Sequence, residues 1–517
     1  MDASTLQPAT FQRAPATGDD RPHVVVIGAG VGGLAAAVRL GAKGYRITVV
    51  DRLDAPGGRA YTYHQDGFTF DAGPTIITAP YMFEELWTLC GLRMSDHVEL
   101  RPSDPYYRIN FDDGEHFTYS GNHDAMRKEV ARIAPDDVEG YDRYLQVSAA
   151  IYKVAFEELA DKPFHSMTFT LREAAELVRL QGFRSVYSRV SEFFRNEHLR
   201  TVFSFHPLLI GGNPFTATSY YCLIAHLESK FGVHYAVGGT GALVRGMVGL
   251  IEHTGGKVRC NAEVDRIVVR DGRAAGVVLA DGEEIAADLV VSNAEPAWTY
   301  SKLLRDHPRR RWTDRKLARA RHSMGLVVWY FGTNRRFDDV LHHNMIMGPR
   351  YKGLLHDIFH RHVLADDCSL YLHRPTASDP SLAPPGCDAF YVLAPVPNLK
   401  SGTNWAEQAE PYRARIQRRL EQTLLPGLGE SIVTSHVLTP QDFRDRYLSL
   451  YGAGFAMEPR LLQSAWFRPH NRSEEVEGLY LVGAGTHPGA GLPGVVSSAC
   501  VVDSLVPHAA DFRRSSR

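Results

Sequence analysis

Net charge is nearly absent: 57 Lys and Arg stand against 59 Asp and Glu, leaving a formal charge of −2 over 517 residues. Such a balance gives no basic field for nucleic acid, so no nucleic-acid partner is expected, and any apolar or membrane partner has to be reached through local features. Cysteine is sparse. The six (Cys90, Cys222, Cys260, Cys368, Cys387, Cys500) show no Cys-x-x-Cys spacing, which fits a reducing compartment and neither a disulfide framework nor a zinc site. No metal ligands are assigned. Residues 1–21 lack the apolar run of a signal peptide and the arginine-rich pattern of a transit peptide, and read as a disordered leader on a cytoplasmic protein. Long apolar runs are missing too. The longest interior stretch without Asp, Glu, Lys or Arg, Thr201 to Leu227, is broken by His206-Pro207 and by Gly211-Gly212-Asn213-Pro214, so no membrane-crossing helix is expected there.

Glycine is plentiful and placed with purpose. The apolar run Val24 to Ile27 stops at Gly28, Gly30, Gly32 and Gly33, a small-residue helix follows, and a second apolar run ends at Asp51 and Arg52. Strand, glycine turn, helix, strand and acid make a dinucleotide site: glycine allows close backbone approach to a pyrophosphate, the helix N-terminus offers free N–H groups, and Asp51 can accept from a ribose hydroxyl. Gly57, Gly58 and Arg59 follow as a second close approach, with a fixed cation to neutralise phosphate. Near the other end, an apolar strand from Leu479 runs into Gly483, Ala484 and a Gly/Pro loop ending at Pro493, Gly494 and Val495, where another helix begins. His487 in this loop receives no catalytic role.

Between these motifs the pattern changes twice. Asp271-Gly272 and Asp281-Gly282 punctuate three short strands between Glu263 and Val291, a meander of the kind that covers the cofactor half of many flavoproteins. Residues 96–235 and 301–455 read as a second, α+β domain inserted into the first, leaving segments 22–95, 236–300 and 456–510 as one discontinuous α/β, Rossmann-like domain. Phe183, Val186, Tyr187, Val190, Phe193 and Phe194 recur at helical spacing among Arg184, Arg189 and Arg195. That stripe suits a core face or a helix lying at a membrane interface.

Together the motifs VVIGAGVGGLAAAVRL, PGGRAY, GFTFDAGPTIIT, FSFHPLLIGGNPF, YAVGGTGALVRGM, SAWFRPHNR and YLVGAGTHPGAGLPGVV resemble those of the bacterial-type phytoene desaturases, flavin-dependent carotenoid desaturases with an amine-oxidase-like fold. The resemblance runs from His23 to Ala499. It implies FAD as cofactor, with Gly28, Gly30, Gly32 and Gly33 at the pyrophosphate, Asp51 and Arg52 at the adenosine ribose, Gly58 and Arg59 at the phosphate and flavin, and Val264 at the adenine through its backbone. Gly483, Ala484, Pro493, Gly494 and Val495 would lie along the ribityl and isoalloxazine. Ala484 stands where many flavoproteins place an acid, so contacts there fall to backbone groups or water. The implied substrate is 15-cis-phytoene, drawn from a membrane surface on which the protein docks peripherally, at the inner membrane. The implied products are neurosporene or lycopene, and the implied final electron acceptor is oxygen or a quinone. A flavin amine oxidase and a non-enzymatic prenyl or lipid escort share the fold and remain the other readings. No residue is assigned as catalytic.

Overall fold

The structure, a computed structural model, describes residues 20–164 and 178–515. The expected leader therefore lies, apart from its last two residues, outside the described part.

The β-branched run His23–Ile27 is buried on both faces, as a central parallel strand must be. It sits in the middle of a five-stranded parallel sheet, flanked on one side by Arg46–Val50 and then Lys257–Arg259, on the other by Leu289–Ser292 and then Leu479–Leu481. Strands far apart in sequence are thus neighbours, and their C-terminal ends converge. The helix Val31–Ala42 packs beside the sheet against Thr240–His253 and Leu492–Leu505. Its small residues decide that closeness: a Cβ on Gly33 would lie 2.1 Å from the backbone oxygen of Gly28. The meander forms as an antiparallel sheet of Val264–Arg270, Arg273–Leu279 and Glu284–Ala286, with Asp271 and Gly272 both at positive φ in its first turn, as a tight hairpin demands.

A second, seven-stranded mixed sheet runs in the order Ile432–Leu438, Gly325–Thr333, Asp388–Val396, Leu370–His373, His343–Ile346, Tyr107–Asn110, His116–Tyr119. Only the contact of His343–Ile346 with Tyr107–Asn110 is parallel, and it joins segment 96–235 to segment 301–455. A ribbon of Leu100–Pro102 and His234–Ala236 closes segment 96–235 at its neck. Within that segment the helices His123–Ile133, Val138–Tyr152, Glu197–Ser204 and Leu223–Phe231 enclose an aromatic core that includes Tyr107, Tyr144 and Phe203.

The stripe from Phe183 to Phe194 departs from the single helix expected of it. Ser185 caps a helix of only five residues, Val186–Val190, and the following turn is fixed by Asp137, whose carboxylate accepts the amides of Arg195 and Asn196. Val186, Val190 and Phe194 are buried, Phe194 stacking on Phe203 with 4.5 Å between ring centroids. Most of this face is core; Phe183 alone, at 64% exposure, points outward.

Among the described residues one helical stretch, Leu492–Arg514, is long and apolar enough to cross a membrane by length and composition. Its apolar window is half buried against the protein, and the helix Leu492–Leu505 ends before Pro507.

Candidate cofactor and substrate cavity

The C-terminal ends of the parallel strands open into a cavity of about 610 Å³, the position where open α/β sheets take their ligands. Three glycine turns meet there. Gly28, Gly30 and Gly32 of the first turn, Gly57 and Gly58 of the second, and Gly483, Ala484, Pro493, Gly494 and Val495 of the third all line it, as do Asp51, Arg52, Arg59 and Val264. Gly33 does not. It faces Gly28 and Asn293 instead, so its place is in helix-to-strand packing.

Asn293, which the sequence left without a role, sits between the first and third turns. A Cβ on Gly30, Gly32 or Gly483 would come within 2.7, 2.7 and 2.6 Å of its side-chain amide. The residue follows the buried strand Leu289–Ser292, and that position at a strand's C-terminal end was the available signal.

Asp51 is buried, its Oδ2 accepting the amide of Ala29 at 2.6 Å and its Oδ1 that of Leu53 at 2.8 Å. Burial raises its pKa, against the lowering effect of those two hydrogen bonds. Each carboxylate oxygen keeps a further acceptor site toward the cavity. Arg52 spends its guanidinium on the carbonyls of Asp445 and Arg446, both at 2.8 Å, so it ties the helix Pro440–Tyr447 to the site. Arg59 is held by a single long hydrogen bond, its Nη2 reaching Ser449 Oγ at 3.4 Å, and its buried Nε, like that of Arg52, has no hydrogen-bond partner; burial lowers its pKa, and the carboxylate of Glu295 is the chief opposing influence. Glu295, another residue the sequence left unassigned, accepts the amide of Leu450 through Oε2, at 2.9 Å, and has Oε1 unpartnered.

Backbone cradles, an unpartnered buried guanidinium N–H and the N-terminus of Leu492–Leu505 make a site for an extended group bearing phosphate. FAD is a group of this kind. His487, in that loop, packs its ring against Phe164 at 4.8 Å. Burial, with Arg468 adding to it, pushes its pKa down to about 3, so the ring is neutral throughout the physiological range.

The rest of the cavity is apolar, walled by residues such as Leu208, Leu223 and Leu227 from the helical segment and Leu326, Met345 and Met347 from the seven-stranded sheet. Glu228 is the carboxylate among these walls, and both its oxygens are occupied: Tyr107 OH donates at 2.6 Å and His206 Nε2 lies at 3.2 Å. Leu461 and Phe467 line the cavity and are also 38% and 48% exposed, which marks its mouth.

The family model described as flavin containing amine oxidoreductase matches residues 31–502. A phytoene desaturase (neurosporene-forming) of Cereibacter sphaeroides is 51% identical over 97% of this chain and 98% of its own length. The chain belongs to the bacterial-type phytoene desaturases, within the flavin containing amine oxidoreductase family. A second such desaturase, the lycopene-forming one of Pseudescherichia vulneris, is 49% identical over 93% of this chain and 98% of its own. Among solved structures, cyclohexylamine oxidase from Brevibacterium oxydans is similar with a TM-score of 0.60 at 17% identity, covering 96% of this chain and all of that one, a likeness of fold. In this family the cofactor is FAD, the enzyme is an oxidoreductase, and the two-domain α/β architecture is that of the amine-oxidase-like flavoproteins.

Proposed function

We propose that the protein is an FAD-dependent desaturase of phytoene in carotenoid biosynthesis, working from a membrane surface and passing its electrons to oxygen or a quinone. The observation that carries the reading is the continuity of one cavity from the glycine cradle, through apolar walls, to an exposed apolar mouth. Relatives about half identical along nearly the whole chain are named for the same reaction, with neurosporene or lycopene as product.

Bound FAD supplies the hydride acceptor that no side chain provides. The chain's own residues do the rest. The apolar walls hold a hydrocarbon and exclude water, which keeps the electron-poor carbons left by hydride loss from being trapped. Among the described residues of that half, Glu228 is closed off by Tyr107 and His206 and leaves no free carboxylate to bind an ammonium, which weighs against an amine as substrate. An escort protein has no use for Arg59's unpartnered N–H in a glycine cradle.

Moving phytoene through water is prohibitive at roughly 25 cal/mol per Å² of apolar surface, so the mouth should open on lipid. Val178, Phe183 and Leu462 are 63%, 64% and 71% exposed. Thr218 ties the two strips together, its hydroxyl donating to Gly182 O at 2.6 Å and its amide to Pro459 O at 3.4 Å. An apolar rim around a cavity mouth is what a peripheral protein buries in a bilayer, here the cytoplasmic face of the inner membrane.

The test is anaerobic. Mixed with phytoene in liposomes, the yellow FAD-loaded protein should bleach, and re-oxidation by oxygen against that by a quinone identifies the acceptor. Bleaching by amines instead of phytoene would overturn the reading.

A further inference from the structure

Away from the cavity, three histidines converge inside the seven-stranded sheet. His343 and His373 face each other across the antiparallel pair His343–Ile346 and Leu370–His373, and His342 precedes the first strand. All three are buried, and one ring nitrogen from each lies within 4.8 Å of the others. None of them lines the cavity, and phytoene desaturation makes no use of them.

The hydrogen bonds orient these rings and leave them incomplete. His342 Nδ1 lies 2.7 Å from Ser378 Oγ, and His343 Nδ1 lies 2.8 Å from Tyr371 OH. His343 Nε2 and His373 Nδ1 have no partner. His342 Nε2 and His373 Nε2 stand 2.9 Å apart, so a single proton must serve two lone pairs. Two of these imidazoles, His342 and His343, have the far nitrogen fixed by a hydroxyl as metal-ligating histidines commonly do, and the near nitrogens of His342 and His373 crowd together.

We propose that His342, His343 and His373 bind one zinc ion through their Nε2 atoms. Two Zn–N bonds of about 2.0–2.1 Å at a tetrahedral angle separate the nitrogens by roughly 3.3 Å. That value falls between the 2.9 Å of the closest pair and the 4.8 Å limit of the cluster, so small ring rotations seat the ion. It replaces the shared proton between His342 and His373 and gives His343 Nε2 a partner. Water or hydroxide takes the fourth position; of the charged groups that act on His342, Arg374 opposes a cation more than Asp379 favours it, and Arg374 is itself paired with Asp388 and Asp338. Three neutral imidazoles suit zinc among the abundant divalent ions, since magnesium and calcium prefer oxygen. The ion would clamp three strand positions, and it would also brace the cavity wall: Tyr371, bonded to His343, meets Thr75 at 3.1 Å, and Thr75 meets Tyr391 at 2.8 Å, with all three of these residues lining the cavity.

The experiment uses the full-length, FAD-loaded protein dialysed against zinc and then against metal-free buffer, with metal content measured by plasma mass spectrometry. About one zinc per chain is expected, falling at least fivefold in His343→Ala and His373→Ala while the FAD spectrum is kept. Cobalt offered in place of zinc should give the intense visible bands of a tetrahedral site in the wild-type protein, a readout that stands even if a variant fails to fold. Zinc below about a tenth per chain, zinc retained undiminished in folded variants, or weak octahedral cobalt bands would each overturn the proposal.

Discussion

Asp51, at the end of the second strand, holds the amide of Ala29, in the turn after the first strand, at 2.6 Å. The acid of the dinucleotide fingerprint therefore shapes its glycine turn as well as facing the cavity. Asp51→Asn keeps the outline but sets an amide N–H₂ against Ala29 or Leu53. Losing one charged hydrogen bond of about 1.5–3 kcal/mol should raise the FAD dissociation constant at least about tenfold. Fluorescence titration of the apoprotein measures it, and an unchanged constant would separate Asp51 from the cofactor.

Arg59 and Glu295 interact electrostatically and both line the same cavity. With Arg59→Met, Glu295 stays buried without its cation and takes up a proton. FAD retention on gel filtration should drop sharply, while Arg59→Lys keeps part of it by restoring the charge without the forked donors. Retention as in the wild type for Arg59→Met would show that the unpartnered N–H has another use.

Asp71 provides a pH test. It is buried and its pKa is raised to about 6, with burial the chief cause. A carboxylate raised on folding favours the folded state when protonated, so its contribution is complete at low pH and is lost between about pH 4 and about pH 6, with no further change above. Asp71→Asn should therefore gain in melting temperature relative to the wild type across that window and hold a constant advantage at higher pH. A difference independent of pH would contradict the assignment.

At the mouth, exposed and buried aromatics should part company. Phe183→Glu combined with Leu462→Glu should abolish liposome co-sedimentation while FAD content and melting temperature stay as they were. Phe194→Ala, which removes a ring stacked on Phe203, should cost about 3–5 kcal/mol of stability. If the double variant still sediments with liposomes, the mouth is not the docking surface.

Much of this was legible in the chain because backbone chemistry announces itself. The glycine turns and the Asp-Gly meander rest on local steric and hydrogen-bond rules that a sequence displays. What stayed hidden depended on distant packing. The stripe from Phe183 to Phe194 has the spacing of a helix face, yet Ser185 and Asp137 cut it short, and only the tertiary core shows which rings go inside. Asn293 and Glu295 carried no motif because their partners lie on other turns. The histidine trio, an adjacent pair and a third thirty positions on, acquires meaning only when two strands pair.

Desaturation fed from lipid leaves a direct spectroscopic record. The most direct measurement incubates the FAD-loaded protein with phytoene in liposomes, with and without an electron acceptor, and records the polyene absorption bands over time. The bands should move stepwise to longer wavelength as conjugation grows, dependent on the acceptor and abolished by Phe183→Glu with Leu462→Glu only when phytoene is supplied in liposomes. Unchanged bands with FAD fully bound and phytoene accessible would contradict it.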